Sequence, residues 1–196
     1  MERSNTTSSS RSEKNQSVWW MSAWLILALL VSGPRPGVAA SAAALNANGA
    51  AALAKLRDSN PAARKLASSA QGILVFPDIV KAGFMFGGQI GEGVLLKRGN
   101  PVAYYNSVAA SYGLQAGIQK FGYALFFMDE GSLAKFENSS GFEIGVGPSI
   151  VVVDEGFGKT LTTKTIQSGI YAFIFDQKGV MAGLGLQGSK ITRISK

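Results

Sequence analysis

The chain has 196 residues, 46% of them hydrophobic, a formal net charge of +7, and neither His nor Cys. The missing types remove the commonest general base, thiol nucleophiles, disulfide staples and most transition-metal ligand sets. The basic excess suits anionic lipid, nucleic acid or another polyanion, or serves solubility alone.

Arg3, Arg11 and Lys14 precede an apolar run, Val18–Val31, of 14 residues. That is short of the roughly 20 residues a membrane-crossing helix needs. Gly33, Pro34 and Pro36 follow, then Val38-Ala39-Ala40 with small residues where a signal peptidase reads. This order predicts a secretory signal with a polar leader over residues 1–40 and one domain over 41–196. The expected location is therefore exported, periplasmic or envelope-associated. With no Cys after the cleavage point, a lipoprotein anchor is impossible.

Ser41–Ala70 reads as two short helices. Leu45, Leu53 and Leu56 fall near one face. Ser59 or Asn60 suits the N-cap of the second helix and Pro61 its first position. Lys55, Arg57, Arg64 and Lys65 lie on or beside the polar side. Such a pair either caps a sheet or lies on a membrane surface, and its few large apolar residues favour the cap.

From Gly72 the period changes to that of strands. Ile73 and Val75, then Phe84 and Phe86, alternate, with Pro77–Ala82 expected as a turn between them. Val94–Lys97, Arg98-Gly99-Asn100 and Val102–Tyr105 form a hairpin. Tyr112–Met128 is one long strand or a broken pair, and Asp129 caps a short helix through Phe136. Phe142–Val153, Thr160–Ile166, Gly169–Phe175 and Val180–Leu186 continue as strands, with a second hairpin turn at Asp176–Gly179. Ser189–Ile194 closes the chain. The expected class is α+β: N-terminal helices packed on a mostly antiparallel, twisted β-sandwich or barrel-like sheet.

Several strings resemble catalytic motifs and fail on context. Gly183, Gly185 and Gly188 satisfy G-x-G-x-x-G but no βαβ unit follows. Gly158-Lys159-Thr160 lacks the earlier P-loop glycine, because Val153 stands there. Ser111 has no His to activate it. The pairs Asp129/Glu130 and Asp154/Glu155 sit at strand ends, where acids serve as turn and cap residues. No enzymatic activity, cofactor or metal is expected.

The glycines carry the signal. Gly83, Gly87, Gly88, Gly91 and Gly93 form one candidate surface, with Gly113, Gln115 and Gly117 beside it. Glycine inside a strand is unfavourable unless a backbone or a ligand approaches closely. Lys81, Lys97, Arg98 and Lys120 stand in or beside these blocks, with Arg64 and Lys65 ahead of them.

Gly72–Pro77, Lys81–Gly93, Ser111–Gln119, Gly141–Gly147, Lys178–Ala182 and Leu186–Arg193 together resemble the SYLF lipid-binding domain family. The blocks occur in order over roughly Leu45 to Ile194. Phe142 stands where many relatives have Trp. The resemblance implies binding to phospholipid membranes, to phosphoinositides in eukaryotic members, some of which also bind actin. The expected partner is an anionic phospholipid or membrane surface, not nucleic acid. For an exported chain, actin is not an expected partner. Candidate lipid-binding residues are Arg64, Lys65, Lys81, Lys97, Arg98 and Lys120. The competing reading is a structural or protein-interaction module of the envelope, its partner unknown.

Overall fold

Ser41 starts the first helix, α1 (Ala42–Ser59), by accepting the Ala44 N–H on its hydroxyl. Asn60 ends it and caps the next, α2 (Pro61–Ala67), its side-chain oxygen taking the N–H groups of Ala62 and Ala63. Both expected helices form, the first longer than a short segment. No helix among the described residues is long and apolar enough to cross a membrane. The structure is a computed structural model and describes residues 40–145, 150–153, 169–179, 186 and 188–196; side chains at 84–86, 111–116 and 179 are not described. All of these lie within the compact unit Ala40–Lys196. The expected signal, Thr160–Ile166, Asp154/Glu155 and nearly all of Val180–Leu186 lie outside the described residues.

Two very long strands follow, β1 (Gly72–Lys97) and β2 (Asn100–Phe127), paired antiparallel along their whole length. Arg98 and Gly99 form the tight turn between them, both at positive φ, so the expected hairpin is present. Pro77–Ala82 is not a turn. β1 runs through it, with Pro77 and Asp78 absorbed in a bulge between Phe76 and Ile79. A bulge leaves a residue unpaired, which is one of the few places a strand tolerates proline.

Asp129 caps the third helix, α3 (Glu130–Glu137), as expected. The next expectation fails. Phe142–Val153 is not one strand: β3 (Phe142–Glu143) and β4 (Ile150–Val153) occupy opposite edges of the sheet. β5 (Ile170–Gly179) continues straight through Asp176–Lys178, so the second hairpin turn is overturned as well. Asp176 takes φ 53 at a register shift against β2, so its turn chemistry makes an irregularity within the strand instead of a reversal. β6 (Lys190–Ile194) closes the sheet, whose order is β3-β6-β2-β5-β4, with β1 paired to β2. Only β4–β5 is parallel among the described pairs. The class is α+β with a mostly antiparallel, curled sheet, as the sequence indicates.

Strand alternation divides this sheet into two faces. The inner face buries Leu74, Phe76, Ile79, Leu95, Phe121, Tyr123, Leu125 and Phe127 with Leu133 and Phe136 of α3. The outer face buries Val75, Val94, Phe126 and Phe173 under Leu45, Leu53, Leu56 and Leu66 of the helices. Residues 121–127 are thus buried on both sides, which explains their unbroken apolar run. The curl comes from the β1–β2 ribbon folding back on itself. The Tyr123 hydroxyl donates to Ser107 Oγ at 2.8 Å, joining two distant stretches of β2 across the interior.

Candidate functional site

The glycine blocks meet where the ribbon bends. Gly83 pairs with Gly117 and Met85 with Gly113, so one β1 residue stands against three of β2. Gly117 takes φ 150, a conformation other residues rarely adopt. Past the bend, β1 lies against its own beginning. A Cβ on Gly91 would stand 2.5 Å from the Asp78 carbonyl oxygen, and one on Gly93 would stand 2.8 Å from that of Val75. These two glycines are therefore consumed by backbone packing and present nothing to a ligand. Gly83, Gly87, Gly91 and Gly93 point inward, whereas Gly88 falls on the outer face opposite Ala110. The expected single glycine surface is thus divided between the two faces. The side chain of Gln115 lies outside the described residues.

The inner face near the bend is polar. Gln89 donates to Ser189 Oγ at 2.7 Å, and Gln119 is buried with its side-chain carbonyl oxygen unpartnered. Lys81 is half-buried on this face, in register with Gln119. Burial pushes the Tyr123 hydroxyl far above the usual tyrosine range, only partly offset by Ser107, so it stays protonated as a donor.

The six candidate cations do not form one surface. Arg64 turns onto α1, donating to the carbonyls of Arg57 and Asp58 at 3.0 and 2.9 Å. It thereby neutralises the negative end of that helix. Lys65 is exposed on the same short helix. Lys97 is ion-paired with Glu137 at 2.8 Å. With Arg98 it lines a cleft of about 480 Å³ shared with Glu130, Glu137, Gln71 and Leu133. Two cations and two carboxylates leave this cleft without net charge. Only Lys120 is an exposed cation on the outer face beside the bend.

Sequence reasoning missed the residues beside Lys120. Lys178 of β5 stands directly across from it. Ile118, two residues earlier on the same face, is 64% exposed, the most exposed large hydrophobic among the described residues. The turn expected at Asp176–Gly179 hides Lys178, which the strand instead sets opposite Lys120. The available signal was its place in the block Lys178–Ala182.

The acid pair Asp129/Glu130 does cap work. Asp129 Oδ1 accepts the Ser132 N–H at 2.7 Å; Oδ2 accepts the Ser132 hydroxyl and the Gly169 N–H, each at 2.8 Å. The Ser132 backbone N–H, then its hydroxyl, hold the carboxyl below its usual range. Both oxygens are committed to fixing α3 and the entry to β5. Among the described residues no three potential metal-ligating side chains gather.

Helices on the outer face of a curled antiparallel sheet with an aromatic interior define an α+β module whose exposed surface, rather than a charged cleft, faces solvent at the bend. Residues 108–196 match a family model described as Ysc84, Las17-binding protein actin regulator. This match bears out the SYLF resemblance over residues 108–196. No curated protein matches the chain significantly.

Proposed function

We propose that the protein is an exported, non-enzymatic domain of the cell envelope that binds phospholipid membranes peripherally. The observation that carries this reading is the family match over residues 108–196, the stretch that supplies most of β2, all of β5 and the exposed cations Lys120 and Lys178. The net charge of +7 supports attraction to anionic headgroups, where each cation near the surface contributes about 1 kcal/mol. The order of basic residues, apolar run and small residues at Val38–Ala40 supports export. The absence of His and the cap role of Asp129 support a binding rather than a catalytic role. The module comprises residues 41–196 after removal of the signal.

Both hydrophobic cores lie inside Ala40–Lys196, so this unit carries its own folding determinants. The test is its co-sedimentation with anionic and zwitterionic liposomes at low and high salt. Binding to anionic vesicles that weakens with salt is expected, because exposed charges are screened within about 8 Å at physiological ionic strength. Failure to bind either vesicle overturns the reading. A second reading follows from the family description, which names a protein-binding actin regulator. On it the sheet serves a protein partner, and vesicle binding is absent.

A further inference from the structure

We propose that the membrane contact is the outer face of the ribbon bend, centred on Ile118, Lys120 and Lys178. This inference rests on the membrane-binding reading and goes further by assigning the surface. Val80, Lys120 and Lys178 form one row across three strands, and Ala82 with Ile118 forms the next row toward the bend. Alternation places all five on the outer face, since Phe121, next to Lys120, points into the core.

Two features of this patch call for an anionic partner. First, Lys120 and Lys178 are exposed and directly opposed, and like charges so placed in a sheet are destabilising unless a counter-charge is supplied. Neither has an acidic partner among the described residues. Asp78, exposed nearby in the β1 bulge, joins no ion pair there, and Asp176 is taken by Lys55. Second, Ile118 is 64% exposed beside this pair, where water gains nothing from it. An anionic bilayer answers both needs: headgroups take the two ammonium groups and the interface takes the isoleucine, the combination used by interfacial anchors. A second copy of the chain fits poorly, because a symmetric contact would set lysines against lysines.

The other candidate surfaces lack this combination. Lys97 is paired with Glu137, and Arg64 is spent on the end of α1. The Lys97–Arg98 turn and the bend lie at opposite ends of the folded ribbon, so one flat membrane engages one of them.

The experiment compares variants of the Ala40–Lys196 unit on vesicles of three parts phosphatidylcholine to one part phosphatidylglycerol. The Lys120→Glu/Lys178→Glu variant is expected to lose about thirtyfold or more in apparent affinity, the loss that follows from two surface cations. Ile118→Ser is expected to lose several-fold with its salt dependence unchanged. Lys97→Glu/Arg98→Glu is expected to stay within about twofold, since that turn lies at the opposite end of the folded ribbon from the contact and beyond the screening length. Circular dichroism confirms folding, and the altered side chains at the bend are exposed. Bend variants that bind like the parent, or a hairpin variant that loses as much as they do, overturn the assignment while leaving the membrane reading intact. A parent that binds no vesicle overturns both.

Discussion

The two ends of the β1–β2 ribbon are built from the same strands and treated in opposite ways. At one end the strands are covered on both faces. α1 and α2 lie outside, α3 lies inside, and Phe76, Tyr123, Phe126, Phe127 and Phe136 are all essentially inaccessible. Aromatic contacts such as Phe76–Tyr123, with ring centroids 4.6 Å apart, tie that end together. At the bend, the buried side chains among the described residues include the polar Gln89, Gln119 and Ser189, and Ile118 and Ile90 stand exposed outside. The helices reach the first end because Gly49 lets α1 approach Val94 closely. The lesson is a division of labour: one end supplies stability, and the other keeps a surface that stability does not require.

The covered end should respond most to damage. Leu125→Ala, at a position with no solvent exposure, should cost roughly 2–5 kcal/mol in urea unfolding, the usual range for a buried leucine. A loss under about 1 kcal/mol would mean the site collapses and the contrast between the ends is overstated. Gly91→Val should cost roughly 1–3 kcal/mol or more, because its Cβ meets the Asp78 carbonyl and the Ile79 backbone as well as the Ile79 side chain, and the backbone cannot move aside. Tolerance there would show that the two halves of β1 do not pack face to face.

Asp129→Ala should cost about 1 kcal/mol by removing the N-cap of α3. Hydrogen bonds hold the folded-state pKa of Asp129 below its unfolded value. Its contribution is therefore full above the unfolded pKa and disappears as pH falls through the folded one. Asp129→Asn keeps a capping oxygen, so it should lose less stability than the alanine variant and flatten the acid limb. An unchanged acid limb in Asp129→Asn would assign that limb to other carboxylates. Smallest of all, Ile118→Ser and Lys97→Gln should each shift stability by no more than about 0.5–1 kcal/mol, as exposed sites do. A large loss in Ile118→Ser would mean that the bend is structural and not a reserved surface.

The sequence made the local chemistry legible. Asn60 and Asp129 act as caps, Arg98-Gly99 turns the hairpin, and the change of period at Gly72 marks the sheet. What it concealed depends on pairing at a distance. Pro77 reads as a break, yet a bulge carries β1 through it. Asp176–Gly179 reads as a turn, yet Lys178 and Gly179 pair with β2 and carry the strand past the irregularity at Asp176. Phe142 and Ile150, neighbours in sequence, join opposite edges because β6 and β5 recruit them separately. The same distinction governs the surface. Lys97 looked available because Glu137, its partner, lies far along the chain, and Lys178 looked unremarkable because its opposition to Lys120 exists only in the folded sheet.

The most direct measurement uses the absence of native cysteine, which makes an introduced thiol a unique attachment point. Ile118→Cys and Arg98→Cys would each carry an environment-sensitive fluorophore and be titrated with anionic vesicles. The account predicts a blue-shifted, brighter signal from position 118 and an unchanged one from position 98. The opposite pattern would contradict it.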